Sequence, residues 1–99
     1  MSAGKGKGAK TRPQPMKMNQ IHIPKKDYPE SGEYPPKSGS FDDLKKSLKL
    51  HGMLTPVFVN ADGVLLQGHY RFWAWQALGN KHVPAVVVES VSDIYQYFD

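Results

Sequence analysis

Cysteine is absent from the 99 residues. Its absence removes disulfide frameworks, thiolate zinc sites and thiol nucleophiles from consideration. Long apolar runs are missing as well. Nothing approaches the roughly 20 residues of a membrane span, and the N-terminus lacks the apolar stretch of a secretory signal. A soluble, intracellular, cytoplasmic protein with no membrane partner is therefore the default expectation. Acidic residues are missing from the first 17 positions, where Lys5, Lys7, Lys10, Arg12 and Lys17 stand unopposed. Residues 18–99 hold eight basic against nine acidic side chains, so the formal net charge of +4 belongs to a tail and not to the remainder.

A chain of this length builds one domain with one modest core. Met1 to Gln20 is rich in Gly, Lys and Pro and has almost nothing to bury, so it is expected to be a disordered basic tail. Its five charges suit weak, salt-sensitive contact with nucleic acid phosphates, and equally a solubilising role. The domain is then expected over residues 21–99. Ile21-His22-Ile23 alternates like a first strand. Pro24 to Gly39 contains four prolines and two glycines and reads as a long loop, a length at which loops are often functional.

Ser40 is suited to cap a helix, with Asp43 as its capping-box partner and Asp42 favouring the dipole. Phe41, Leu44, Leu48 and His51 recur at helical spacing, and Gly52 marks the stop. Lys45, Lys46 and Lys49 decorate the outer face. Pro56-Val57-Phe58-Val59 and Val64-Leu65-Leu66 flank Asn60-Ala61-Asp62-Gly63, a hairpin signal. A second helix runs from Gly68 towards Gly79. Val83 to Val88 is apolar enough for a central strand. Ser90 with Asp93 caps a short terminal helix. No internal repeat is visible.

The chemistry concentrates in Leu65-Leu66-Gln67-Gly68-His69-Tyr70-Arg71. An apolar strand ends at a glycine and a helix opens at once. First-turn N–H groups and the positive end of the helix dipole attract anions. Gly68 permits a sharp turn and close backbone approach to a ligand. Arg71 adds a planar fork suited to two phosphate oxygens, where the plainer reading is a surface ion pair. His69 is a candidate phosphate donor or general base; the dipole at this position disfavours imidazolium, and a solvent-facing polar residue is the alternative. Phe72, Trp73 and Trp75 suit packing better than base stacking. His22, His51 and His82 lack ligand spacing and Asp42 and Asp43 diverge on a helix, so no metal site is expected.

The ordered series Gly68-x-x-Arg71, a helix, Gly79 and Val83-Pro84, preceded by Phe41 to Val59 with His51-Gly52 and Pro56, resembles the ParB/sulfiredoxin superfamily. The resemblance runs from about Ile21 to the end, and Glu89 to Phe98 is more like the sulfiredoxin C-terminus. It implies a small α/β (α+β) domain: a mixed sheet with about three flanking helices. Sulfiredoxin chemistry uses a cysteine where this chain has His69, so sulfinic acid reduction by that route is excluded. The resemblance further implies nucleotide contact at Gly68, His69, Tyr70 and Arg71, at Ser47, and at Lys37 of Tyr34-Pro35-Pro36-Lys37. Tyr70 replaces a usual His or Arg, and Ser40 and Asp43 replace a lysine and a serine.

ParB proteins continue into a helix-turn-helix DNA reader that these residues do not contain, so a full partition protein is not expected. Three classes remain open. One is a nucleotide-binding module, for ATP or CTP with Mg²⁺, that reaches DNA through Lys5, Lys7, Lys10, Arg12 and Lys17. The second is an enzyme of the same fold with His69 as its catalytic base: a phosphotransferase, a weak NTPase or a nuclease. The third is a protein-interaction module whose phosphate loop is vestigial.

Overall fold

The computed structural model describes residues 12–28 and 39–98. In chain order the elements are β1 (Gln14–Lys17), α1 (Gly39–His51), β2 (Val57–Val59), β3 (Leu65–Gln67), α2 (His69–Ala77), β4 (His82–Val87) and α3 (Val91–Tyr97). Short 3-10 turns at Met18–Gln20 and Lys25–Asp27 follow β1. The strands form one mixed sheet in the order β1-β4-β2-β3. β4 lies antiparallel to β1 and parallel to β2, and β2 turns back as an antiparallel hairpin with β3. The architecture is the small α+β fold expected from the sequence.

Both faces of the central strands are covered, which explains their unbroken apolar runs. Successive strand residues point to opposite faces, and β2 divides accordingly. Val57 and Val59 join the larger core with Val83, Ala85, Phe72, Trp73, Phe41 and Leu48 beneath α1 and α2. Phe58 faces the other way and meets Val86 and Ile94 under α3, with the Tyr97 ring edge-on at 5.2 Å. At the start of α3 the Asp93 carboxylate accepts from the backbone N–H groups of Glu89 and Ser90, as its capping position predicts.

Three expectations need correction. Residues 1–20 are not wholly a tail: Gln14–Lys17 is the edge strand β1, paired from Gln14↔Ala85 to Lys17↔His82. Pro13 and Pro15 hide this strand from a sequence reading. Pro15 faces Pro84, so the two residues without an N–H occupy one position of the ladder. Second, Ile21-His22-Ile23 is not a strand. Ile21 and Ile23 are buried, but pairing is limited to a bridge between His22 and Val64. The bridge is fastened by His22 N–H to the Gly63 carbonyl (2.8 Å) and Leu65 N–H to the His22 carbonyl (2.8 Å). Gly63 has φ +83°, and a Cβ there would meet the Gln20 carbonyl oxygen at 2.6 Å, so the turn admits only glycine. Third, α1 begins at Gly39, which puts Ser40 inside its first turn, and Asp42 pairs with Lys45 at 3.5 Å. An N-cap at Ser40 is therefore not formed.

Because β1 belongs to the sheet, two truncations should behave differently. Deleting residues 1–11 should leave the chemical-denaturation midpoint unchanged. Deleting residues 1–17 strips the β1–β4 hydrogen bonds, each worth about 1 kcal/mol net, and should lower stability by about 2–4 kcal/mol. Equal stability of the two would refute the structural role of β1.

Candidate functional site

The turn between β3 and α2 is built on Gly68. Its backbone is left-handed (φ +101°), and an added Cβ would lie 2.9 Å from Val57 Cγ1 and 3.1 Å from Arg71 Nη2. The glycine is therefore demanded by close packing of the turn on β2, a reason the sequence did not disclose. The Gly68 carbonyl accepts from Phe72 N–H at 2.8 Å, and no side chain caps the N-terminus of α2. The first-turn N–H groups thus keep their capacity to meet a ligand.

Arg71 springs from this turn. Its Nη2 donates to the Pro56 carbonyl at 3.0 Å, which anchors one edge of the guanidinium at the start of β2. Its Nε is buried without a hydrogen-bond partner among the described residues. No carboxylate of those residues pairs with it. Burial pushes the guanidinium below its usual pKa, yet an arginine still carries its charge at neutral pH. A half-buried cation without a carboxylate partner among the described residues is electrostatically suited to an anion.

His69 sits two residues earlier and is not solvent-facing. Its Nε2 lies 3.1 Å from Asp27 Oδ2, and both side chains are about three-quarters buried. The other Asp27 oxygen is 3.8 Å from Lys26 Nζ. The next residue, Tyr28, stacks on Trp73 at 5.8 Å. Asp27 and Tyr28 thereby grip residues 69 and 73, which share one face of α2. The result is a cleft of about 600 Å³ lined by Asp27, Leu44, Gly68, His69, Tyr70, Arg71 and Trp73. Tyr70 is half-exposed at its rim, edge-on to Trp73 at 5.4 Å.

The sequence-derived candidates divide three ways. Gly68, His69, Tyr70 and Arg71 converge on the cleft. Ser47 is exposed on α1 and is not among the lining residues. Lys37, Lys5, Lys7 and Lys10 lie outside the described residues, while Arg12 and Lys17 are exposed at and beside β1. Phe72 and Trp73 are buried in the core, and Trp75 donates to the His82 carbonyl at 2.7 Å. Among the described residues, no three His, Asp or Glu side chains group to hold a metal. Asp27 was missed altogether, because nothing local connects residues 42 apart in sequence.

Comparison with known proteins agrees with this fold. The ParB N-terminal domain matches residues 10–96. The chain belongs to that family. No curated protein matches it. Among solved structures, a Pnob8-like ParB-N domain superposes with TM-score 0.61 at 22% identity, over 87% of this chain and 33% of that one. The C-terminally truncated chromosome-partitioning protein ParB from Caulobacter crescentus, complexed with CTP-γ-S, gives 0.61 at 22% identity, over 87% of this chain and 48% of that one. Sulfiredoxin from Arabidopsis thaliana gives 0.61 at 16% identity, over 88% and 97%. This ParB-family chain thus spans a third to a half of the two ParB structures, and the likeness at these identities is one of fold.

The Gly68 turn yields a stability prediction. Gly68→Ala adds a Cβ against Val57 and forces a left-handed backbone on an L-residue. Denaturant titration should show a loss of about 1–3 kcal/mol. An unchanged midpoint would mean that the turn can relax away from β2.

Proposed function

We propose that this ParB-family chain is a nucleotide-binding module that holds a phosphate group, such as one of ATP or CTP, at the N-terminus of α2. The observation that carries the reading is Arg71: a half-buried cation lining the cleft with no carboxylate partner among the described residues. The uncapped first turn of α2 adds backbone donors beside it. Similarity to a ParB whose structure contains CTP-γ-S supports a nucleotide as the phosphate source.

Arg71→Ala should weaken nucleotide binding by about 1.5–3 kcal/mol, the worth of a charge-assisted hydrogen bond. Calorimetric titration with ATP and CTP, with and without Mg²⁺, reads the loss. Arg71→Lys keeps the charge but not the fork, and should fall between the two. Undiminished affinity in a folded Arg71→Ala protein would reject the clamp.

The reading extends to DNA through the basic N-terminal segment. Arg12 and Lys17 are exposed, and Lys17 projects from an edge strand whose ladder partner is His82. The chromosome-partitioning relative supports a DNA setting. Removing residues 1–11 takes away Lys5, Lys7 and Lys10 while sparing β1, so this truncation isolates the arm in a DNA-binding assay at low salt.

The Asp27–His69 pair favours a second reading, a phosphotransferase. A base held by a third group is the arrangement that activates a hydroxyl for attack. If His69 is that base, His69→Asn should spare nucleotide affinity and cut turnover about 10²–10⁴-fold, as followed by phosphorus NMR. A nucleotide that stays intact beside the wild-type protein and candidate hydroxyl acceptors would rule this reading out.

A further inference from the structure

A second cavity lies away from the Arg71 cleft, at the opposite edge of the sheet. It holds about 260 Å³ and is lined mainly by Pro13, Pro15, His82 and Pro84. The pleat explains its position. Met16, Val83 and Ala85 turn into the larger core, so their neighbours Pro15, Lys17, His82 and Pro84 turn to the other face. α3 covers that face over Phe58 and Val86, while Pro13, Pro15, Lys17 and His82 are exposed. Lys17 and His82 are ladder partners, so their side chains stand side by side. Lys81 is also exposed, and its carbonyl accepts Met18 N–H at 2.9 Å. Among the described residues neither lysine forms an ion pair.

The free edge of β1 is closed to one class of occupant. Met18 donates inward to Lys81, so the alternation of the ladder turns the backbone nitrogens of residues 13, 15 and 17 outward. Pro13 and Pro15 have no N–H to give. A peptide adding itself beside β1 would meet a donor only at Lys17, which disfavours strand addition. The surface is instead an apolar shelf that carries a flat ring, beside two cations without carboxylate partners.

We propose that this shelf seats an unpaired base of single-stranded nucleic acid. His82 stacks on the base, and Lys17 and Lys81 meet the flanking phosphates. Every base has a π-face that an imidazole can cover, and phosphates suit lysines that no carboxylate neutralises. A duplex keeps its bases stacked on one another and leaves the shelf unfilled. The proposal is independent of the phosphate reading of Arg71. It rests on the nucleic-acid reading of the N-terminal segment for the class of polyanion, and adds the strand state and a fixed contact on the fold.

The test is fluorescence anisotropy of the full chain at low salt with three labelled ligands: a short oligodeoxythymidine, the same strand made abasic, and a duplex of equal length. The oligodeoxythymidine should bind most tightly. His82→Ala should weaken it about fivefold or more, as expected for one lost stack, and leave the other two ligands unchanged. His82→Phe keeps a flat ring and should restore the loss, which separates stacking from charge. Lys17→Gln and Lys81→Gln should weaken all three ligands, each lowering the salt slope on the single strand by about 0.7. Deleting residues 1–11 should weaken all three while the oligodeoxythymidine keeps its advantage. Loss of that advantage in the deletion would place the contact on the arm and overturn the seat. A duplex bound as tightly as the single strand, or a His82→Ala protein that binds as wild type, would overturn it as well. So would a copolymer of glutamate and tyrosine bound more tightly than the strand, which would mark a protein-binding surface. Absence of binding to all three ligands would remove the DNA reading together with the seat, whereas equal binding to all three removes the seat alone.

Discussion

The contact of Gly68 with Val57 is the constraint on which the rest of the molecule turns. It brings the end of β3, the start of β2 and the first turn of α2 within van der Waals reach, at a point where no side chain fits. Arg71 extends from the same turn to the Pro56 carbonyl, so the residue before β2 and the third residue of α2 are fixed to one another. Helix and sheet could not slide relative to each other without breaking both contacts. The consequence for function is that the guanidinium is positioned by the fold itself. Side chains locked by packing and secondary anchors make more exact sites than those on free loops.

A second consequence concerns energy. Desolvating a cation costs free energy unless a partner offsets it, and Arg71 is given a neutral carbonyl in place of a carboxylate. The adjacent Asp27 is near enough to line the same cleft yet is held by His69. Leu44 and Trp73 supply low-polarity walls that strengthen whatever electrostatic contact a ligand makes there.

Elements with local signatures were legible in the sequence. The 3-4 spacing of Phe41, Leu44 and Leu48 places them inward on α1, the Asn60–Gly63 turn closes the hairpin, and Asp93 caps α3. The Gly68-to-Arg71 cluster was legible too, because a strand, a glycine and an arginine at a helix start are adjacent in the chain. What was not legible is non-local. β1 earns its place by pairing with β4, some 68 residues later, and its prolines point away from a strand when read alone. Asp27 lies among prolines and lysines with no periodicity, and only the tertiary fold sets it against His69. The sharp turn at Gly68 was legible as well, but its packing reason was not: a Cβ there would meet Val57 and Arg71.

These non-local features alter how the charge asymmetry of the chain is to be understood. A basic tail separate from a neutral domain would be a tether, free to search in any direction. Here the last of the five N-terminal cations, Lys17, belongs to β1, and the following Met18 is buried and donates its N–H to the Lys81 carbonyl. Lys17 and Lys81 are both exposed at the sheet edge formed by β1. The cleft lies at the other boundary of the sheet, where β3 passes into α2, because β3 is the opposite edge strand. A phosphate ligand at Arg71 and a polyanion at the β1 edge would then occupy separate surfaces of one sheet, and neither would have to displace the other.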